Sequence, residues 1–369
     1  MVKIPLVDLK AQYSILKSEI EPAVKSILDR CDFIMGADVS IFEEEFAEFS
    51  GGKFCIGVNS GTDALQLALL ACGIKNGDEV VTVPNTFIAT TEAITMTGAR
   101  VVFADIDSES YTIDVRQIKN KITKKTKAII PVHLYGLPAD MDTIMKIAKD
   151  EGLFVIEDAA QAHGAIYKGR KVGVIGDIGC FSFYPGKNLG AYGDAGAIVT
   201  NNEEFANKIK LLRDHGRRKK YEHEIEGFNK RIDTLQAAVL RIKLKYLKEW
   251  NEKRRKNAEI YSYALKDIDG VEVPVKIKDI KSVYHLYVIK AKDRDNLKEY
   301  LEKEGIATGI HYPIPLHLQS AYKYLGLKEG NFPVAEDTAK RILSLPMYPE
   351  LSEEQIYYIS EKIKKFYRK

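Results

Sequence analysis

The sequence predicts an α/β protein: a large domain built on a mostly parallel seven-stranded sheet, followed by a smaller α+β domain. Three observations carry that prediction. Between residues 50 and 200 the chain repeats one unit: a short apolar strand, a turn marked by Gly, Pro or Asn, then a helical stretch. Strand candidates such as VVTV (80–83) and FVI (154–156) are apolar throughout, as strands covered on both faces must be. From about Phe205 the character changes to long, lysine-rich amphipathic helices.

Taken in order, KFCIGV (53–58) leads through NSGT into DALQLALLAC, whose apolar residues follow helical spacing. EVVTV (79–83) leads through PNT into IATTEAITMTG, and RVVFADI (100–106) follows. KAIIPV, LFVIED, CFSFY and GAIVTN complete the series of seven. Strands alternating with helices imply parallel βαβ units. The stretch RIDTLQAAVLRIKLKYLKEWNEKRRKNAEIYSYAL then reads as one long helix bridging two domains. SVYHLYVIKA reads as a strand, NLKEYLEKEG as a helix and SEEQIYYISEKIKKFY as a terminal helix. The division falls at 1–245 and 246–369, with the N-terminal segment expected to reach the smaller domain.

Totals narrow the functional classes. The 369 residues suffice for two domains, and 45% hydrophobic with 29% charged residues is ordinary for a globular protein. Lys plus Arg number 55 against 52 Asp plus Glu, a net +3 that points away from nucleic acid and membrane partners. Cys31, Cys55, Cys72 and Cys180 form no CxxC pair and no metal spacing, so they read as reduced core thiols of a cytoplasmic protein without a metal site. The opening MVKIPLVDLKAQY lacks the apolar core of a signal peptide, and no apolar run approaches the length of a membrane span.

Two nucleotide signatures are excluded. For a P-loop ending at Gly186-Lys187, Phe181 occupies the first glycine position and Asn188 the final hydroxyl position. The dinucleotide fingerprint fails because no glycine has another two positions on. Any phosphate is therefore held another way. NSGT offers one: a buried strand meets a helix there, and the free N–H groups at Ser60, Gly61 and Thr62 make an anion site, or merely a capped helix.

Asp158 closes the apolar strand LFVIED, at the sheet edge where α/β proteins bind ligands. A carboxylate there needs a cation or a strong donor. It reads either as a helix N-cap or as the acceptor for a protonated ring nitrogen, with Gln161 and His163 as polar neighbours. Lys187 follows another strand and a Pro-Gly break, in a bend rather than on a helix face. A lysine, a carboxylate and a helix N-terminus at one sheet edge form the minimal kit for pyridoxal phosphate: Schiff base, ring-nitrogen partner and phosphate holder.

GVNSGTDALQLAL, EDAAQAHGA, SFYPGKNLGAYGDAGA and GFNKRIDTLQAAVL, in that order, resemble the DegT/StrS-type nucleotide-sugar aminotransferases, enzymes of PLP fold type I. The resemblance runs from IPLVDLKAQY to LPMYPELSEEQI. It implies that Lys187 holds the cofactor as a Schiff base and that Asp158 partners the pyridine nitrogen. Gln161 falls where the family contacts the ring or its oxygen substituent. Gly61, Thr62 and Ser182 match phosphate-binding positions. Phe87 matches the aromatic that stacks on the ring, where it would otherwise read as a core residue. Asn229 matches the residue that a second subunit donates to the phosphate, implying a homodimer with shared active sites. The resemblance further implies two half-reactions, with L-glutamate as donor, a pyridoxamine phosphate form between them, and a nucleotide-linked keto sugar as acceptor.

Within the family, SFYPGKNLGAYGDAGA is similar to the version found in enzymes acting at C-3, where the C-4 branch shows SFHPxK and a GEGG run. The expected substrate is a dTDP-linked 3-keto-6-deoxyhexose, against a UDP-linked 3-keto sugar, a 4-keto sugar, or a non-catalytic PLP-binding regulator. Three weaker candidates face plain alternatives: Tyr184 touches the sugar or is core; His311 closes on substrate or is an exposed loop residue; Lys219, in RRKK, meets the diphosphate or is solvated.

Overall fold

A computed structural model describes residues 4–368. The central sheet holds β1 (Phe54–Val58), β2 (Glu79–Thr82), β3 (Arg100–Phe103), β4 (Thr126–Ile129), β5 (Phe154–Asp158), β6 (Ile178–Ser182) and β7 (Gly196–Thr200). Their spatial order is β1-β7-β6-β5-β4-β2-β3. Pairings of β2 with β3 and β4, of β4 with β5, and of β5 with β6 are parallel, whereas β7 runs antiparallel between β1 and β6. The exception follows from its connection: residues 183–195 contain no helix to carry a crossover, so the chain turns back beside β6. The other six strands deliver their C-terminal ends to one edge.

The helix Gly61–Ala71 packs on β6 and β7 and is buried on almost every side, from Ala64 to Leu69. Each large apolar side chain so covered contributes roughly 1.5–3 kcal/mol. The helix Thr234–Leu265 spans about 48 Å at 1.5 Å per residue. Its first half gives Ala237, Leu240 and Leu247 to the core around the main sheet. Its last turns give Ala258, Tyr261 and Leu265 to a second core, built with the antiparallel strands Val271–Glu272, Tyr287–Ala291 and Ile342–Leu345 and the helix Glu353–Tyr367. Ile4 joins this second core and bridges to Ile306. Arg254 lies buried between the two regions, donating to the carbonyls of Tyr284, His285 and Met347. No helix among the described residues is long and apolar enough to cross a membrane.

Candidate active site

The end of β5 is pinned by its neighbours. The Asp158 N–H donates to the Pro131 carbonyl at 2.9 Å, and its own carbonyl accepts from the His133 N–H at 3.0 Å. Behind it, the fully buried Glu157 carboxylate accepts from the N–H groups of Gly173, Ile175 and Gly176 and lies 2.9 Å from His133 Nε2. His133 Nδ1 accepts from the Ala139 N–H, which assigns the ring hydrogen to Nε2. This network fixes the strand end on which Asp158 stands.

The Asp158 carboxylate is buried and accepts from Thr90 Oγ1 at 2.8 Å and from the Ala160 N–H at 3.2 Å. Burial raises its pKa, while Thr90, Ala160, Lys187 and His133 hold it down. No helix follows: the chain runs on in turns, so the N-cap alternative does not apply. Gln161 is buried too; its Oε1 accepts from the Tyr135 N–H at 2.7 Å and its Nε2 donates to the Tyr312 hydroxyl at 3.3 Å. Tyr135 reaches it from a left-handed backbone conformation, φ 58°.

Beyond β6 the chain folds tightly on itself. The Lys187 N–H donates to the Tyr184 carbonyl and the Ala191 N–H to the Phe183 carbonyl, both at 2.8 Å. A Cβ on Gly190 would stand 2.3 Å from the Pro185 carbonyl oxygen, so only glycine closes this bend. Lys187 is partly buried. Burial brings its amine down to about 8, and the Asp158 carboxylate opposes that fall. An amine titrating there keeps a neutral, nucleophilic fraction near physiological pH that an ordinary lysine lacks. Three histidines share its field and stay neutral. Burial, then the Lys187 charge, brings His163 down to about 3 and His311 to about 4, and holds His285 well below its usual range.

At the start of the helix Gly61–Ala71, Ser60 Oγ accepts from the Asp63 N–H at 3.0 Å. The N–H groups of Gly61 and Thr62 are left without an internal partner among the described residues, at the positive end of the helix dipole. A Cβ on Gly61 would meet the Ser182 Cβ at 2.6 Å, so the helix start is pressed against the end of β6. Gly61, Thr62 and Ser182 therefore share one corner, suited to an anion. Phe87 is 55% exposed rather than core, with its ring 5.8 Å from that of Tyr312.

Asp158, Gln161, Lys187 and His311 are thus brought to one edge, with the Gly61–Ser182 corner on the same strand ends. His311 is not the exposed loop residue that its Pro-rich context allows: it is partly buried, with Nδ1 2.8 Å from Ser344 Oγ. Tyr184 is not core but 60% exposed. Lys219 stands apart in a solvent-facing hairpin, Arg217–Lys219 against Glu222–His223, with Glu222 3.7 Å away as its ion-pair partner. Asn229 is exposed, although the carbonyl of the next residue, Lys230, accepts from the Asn59 N–H. Sequence reasoning missed Thr90, Tyr135 and Tyr312. The first two read as helix and turn filler, while Tyr312 was legible only as the aromatic neighbour of His311.

The donor set fits pyridoxal phosphate. It offers an amine of depressed pKa, a buried carboxylate, an exposed aromatic face and an anion corner. Asn59 Oδ1 is buried there without a hydrogen-bond partner among the described residues. Residues 14–364 match the DegT/DnrJ/EryC1/StrS aminotransferase family. The chain is 48% identical to a pleiotropic regulatory protein of Geobacillus stearothermophilus, covering 100% of this chain and 99% of that one. It is 43% identical to a dTDP-3-amino-3,4,6-trideoxy-alpha-D-glucose transaminase of Streptomyces venezuelae, covering 99% and 96%. The crystal structure of S. venezuelae DesV in complex with a ketimine intermediate superposes with a TM-score of 0.98, at 42% identity and full coverage of both chains.

Proposed function

The chain belongs to the DegT/DnrJ/EryC1/StrS aminotransferase family, and from that premise we propose that it aminates a nucleotide-linked 3-keto-6-deoxyhexose. The nucleotide is dTDP, the amino donor L-glutamate, the cofactor pyridoxal phosphate and the product a 3-amino-3,6-dideoxy sugar nucleotide. The observation that carries this reading is the juxtaposition of a depressed lysine amine, Lys187, with the buried carboxylate of Asp158 at the sheet edge. The C-3 assignment rests on SFYPGKNLGAYGDAGA, and the name of the Streptomyces relative supports it.

When bound, pyridoxal phosphate supplies an electron sink for the carbon next to the transferred nitrogen. This chain's residues do the rest. Lys187 would hold the cofactor covalently. Its amine, with the depressed pKa, would be the base for the proton on the amino-acid Cα. Asp158, kept in place by Thr90 and Ala160, would be the acceptor for a protonated pyridine nitrogen. Gly61, Thr62 and Ser182 would hold the phosphate, and Phe87 and Gln161 would serve the ring. Tyr184, Lys219 and His311 are assigned to the sugar nucleotide, with His311 available as a neutral acceptor.

We further infer a homodimer with shared sites, in which Asn229 serves the phosphate of a second copy. The exposed run Phe33, Ile34 and Met35 offers apolar area that a second copy would cover. All four cysteines are free, in keeping with work in the cytoplasm, but only Cys55 and Cys180 are core: Cys31 is exposed at the end of its helix and Cys72 is half-buried.

Borohydride trapping with peptide mass mapping tests the core: the adduct is expected on Lys187, and an adduct on any other lysine overturns the assignment. Turnover of 3-keto against 4-keto dTDP-sugars, and of UDP-linked 3-keto sugars, tests the acceptor. The name of the Geobacillus relative favours a second reading, a PLP-binding regulator. That reading gains if no amino acid converts the bound cofactor to its pyridoxamine form.

A further inference from the structure

A chain of side-chain amides runs behind Lys187. Asn251, on the helix Thr234–Leu265, donates from Nδ2 to the His163 carbonyl at 2.8 Å, which leaves its Oδ1 to accept. That oxygen accepts from Asn188 Nδ2 at 2.9 Å, and the same nitrogen donates to the Val283 carbonyl at 3.0 Å. Both Asn188 amide hydrogens are then committed, so its Oδ1 can only accept. The group facing it, at 3.2 Å, is His285 Nδ1. His285 therefore carries its hydrogen on Nδ1. Two backbone carbonyls fix every orientation in the chain, and the tautomer follows from them.

The three side chains are buried. They tie together four segments: the residue after Lys187, the turn beyond Gln161, the long helix, and the approach to the strand Tyr287–Ala291. In that position His285 meets Asn188, the residue next to Lys187 in the chain. We propose that His285 is a positioning residue for Lys187: by donating from Nδ1 to Asn188 it holds the lysine's backbone against the long helix and keeps the amine in its dehydrated place. This rests on the reading of Lys187 as the reactive amine. Without the donor, Asn188 Oδ1 is left buried and unpaired, and water drawn in to satisfy it gains access to the lysine. The amine's affinity for a proton then rises, while the other groups in its field, Asp158, His163 and His311, are unchanged.

The test is competitive acetylation of the full-length, cofactor-free protein between pH 6 and 11, with mass mapping of the Lys187 peptide. His285→Asn places an amide N–H where Nδ1–H stood; His285→Phe and Asn188→Ala remove the contact. The expected result is that His285→Asn titrates like the unaltered chain, whereas the other two label Lys187 about fivefold more slowly at pH 8, the loss for a rise of one pH unit in its midpoint. In the cofactor-loaded enzyme, His285→Phe lowers kcat with KM for the sugar unchanged, and His285→Asn restores it. An unmoved Lys187 titration in both disruptive variants overturns the proposal, as does a His285→Asn variant that behaves like His285→Phe. Should His285→Phe fold poorly, Asn188→Ala and His285→Asn decide the matter. Failure of the aminotransferase reading shows elsewhere, as an unaltered chain that takes no cofactor on Lys187.

Discussion

Burial strips water from the charged form of Lys187 and brings its amine down to about 8, whereas a lysine in the unfolded chain titrates near 10.4. Between those values the unfolded state binds more protons, so stability rises with pH across that window. Below pH 8 the cofactor-free fold carries the full cost of a desolvated ammonium. Lys187→Met is therefore expected to stabilise the cofactor-free protein at pH 7, by about 2 kcal/mol once partial solvent screening is allowed for. The gain should shrink toward zero by pH 10, and denaturant melts at the two pH values check it. The same variant loses both nucleophile and base, so turnover falls by roughly 10³-fold or more. Asp158→Asn keeps an acceptor for Thr90 Oγ1 but removes the charge that supports the lysine. Its Lys187 should titrate lower still, with turnover down about 10²–10³-fold and melting little changed, as acetylation and calorimetry would show. These two residues were legible in the sequence because each closes or follows an apolar strand. Thr90 and Tyr312 were not, since each meets its partner across a large separation, 68 residues to Asp158 and 151 to Gln161.

At the scale of elements, the contact between the helix Gly61–Ala71 and β6 decides whether an anion corner exists. Gly61 has no positive φ to demand glycine; the demand comes from the Ser182 Cβ at 2.6 Å. Gly61→Ala is expected to push the helix start off the strand end and weaken cofactor binding about tenfold or more, at modest cost to folding. Absorbance titration with pyridoxal phosphate measures the first effect and thermal melting the second. The strands themselves were readable as apolar runs, because both faces are covered. The reversal of β7 was not, since apolar runs carry no direction and only the missing crossover helix betrays it. The long helix hid its change of allegiance for a related reason. It passes from one core to the other without a Gly or Pro, keeping one period throughout, so nothing in its composition marks where the second core begins.

Over the whole molecule, the most demanding consequence of the proposed function concerns the number of chains in one site. Lys187 belongs to the sheet edge of its own chain, and Asn229 is exposed on a segment that leaves that edge. If Asn229 serves the phosphate of a second copy, each site needs a lysine from one chain and an asparagine from the other. Lys187→Ala and Asn229→Asp are then each inactive or crippled as pure dimers, the second because a carboxylate replaces an amide beside a phosphate. Unfolding and refolding the two together randomises the pairing, and half of the dimers become mixed. In a mixed dimer one site collects both defects and the other collects none. Activity should therefore return to about one quarter of the unaltered enzyme's, although neither parent has it. If each site were built from a single chain, mixing would restore nothing, because every site would keep its own lesion. Turnover of the 3-keto sugar nucleotide before and after co-refolding, with light scattering to confirm the dimer, separates the two arrangements.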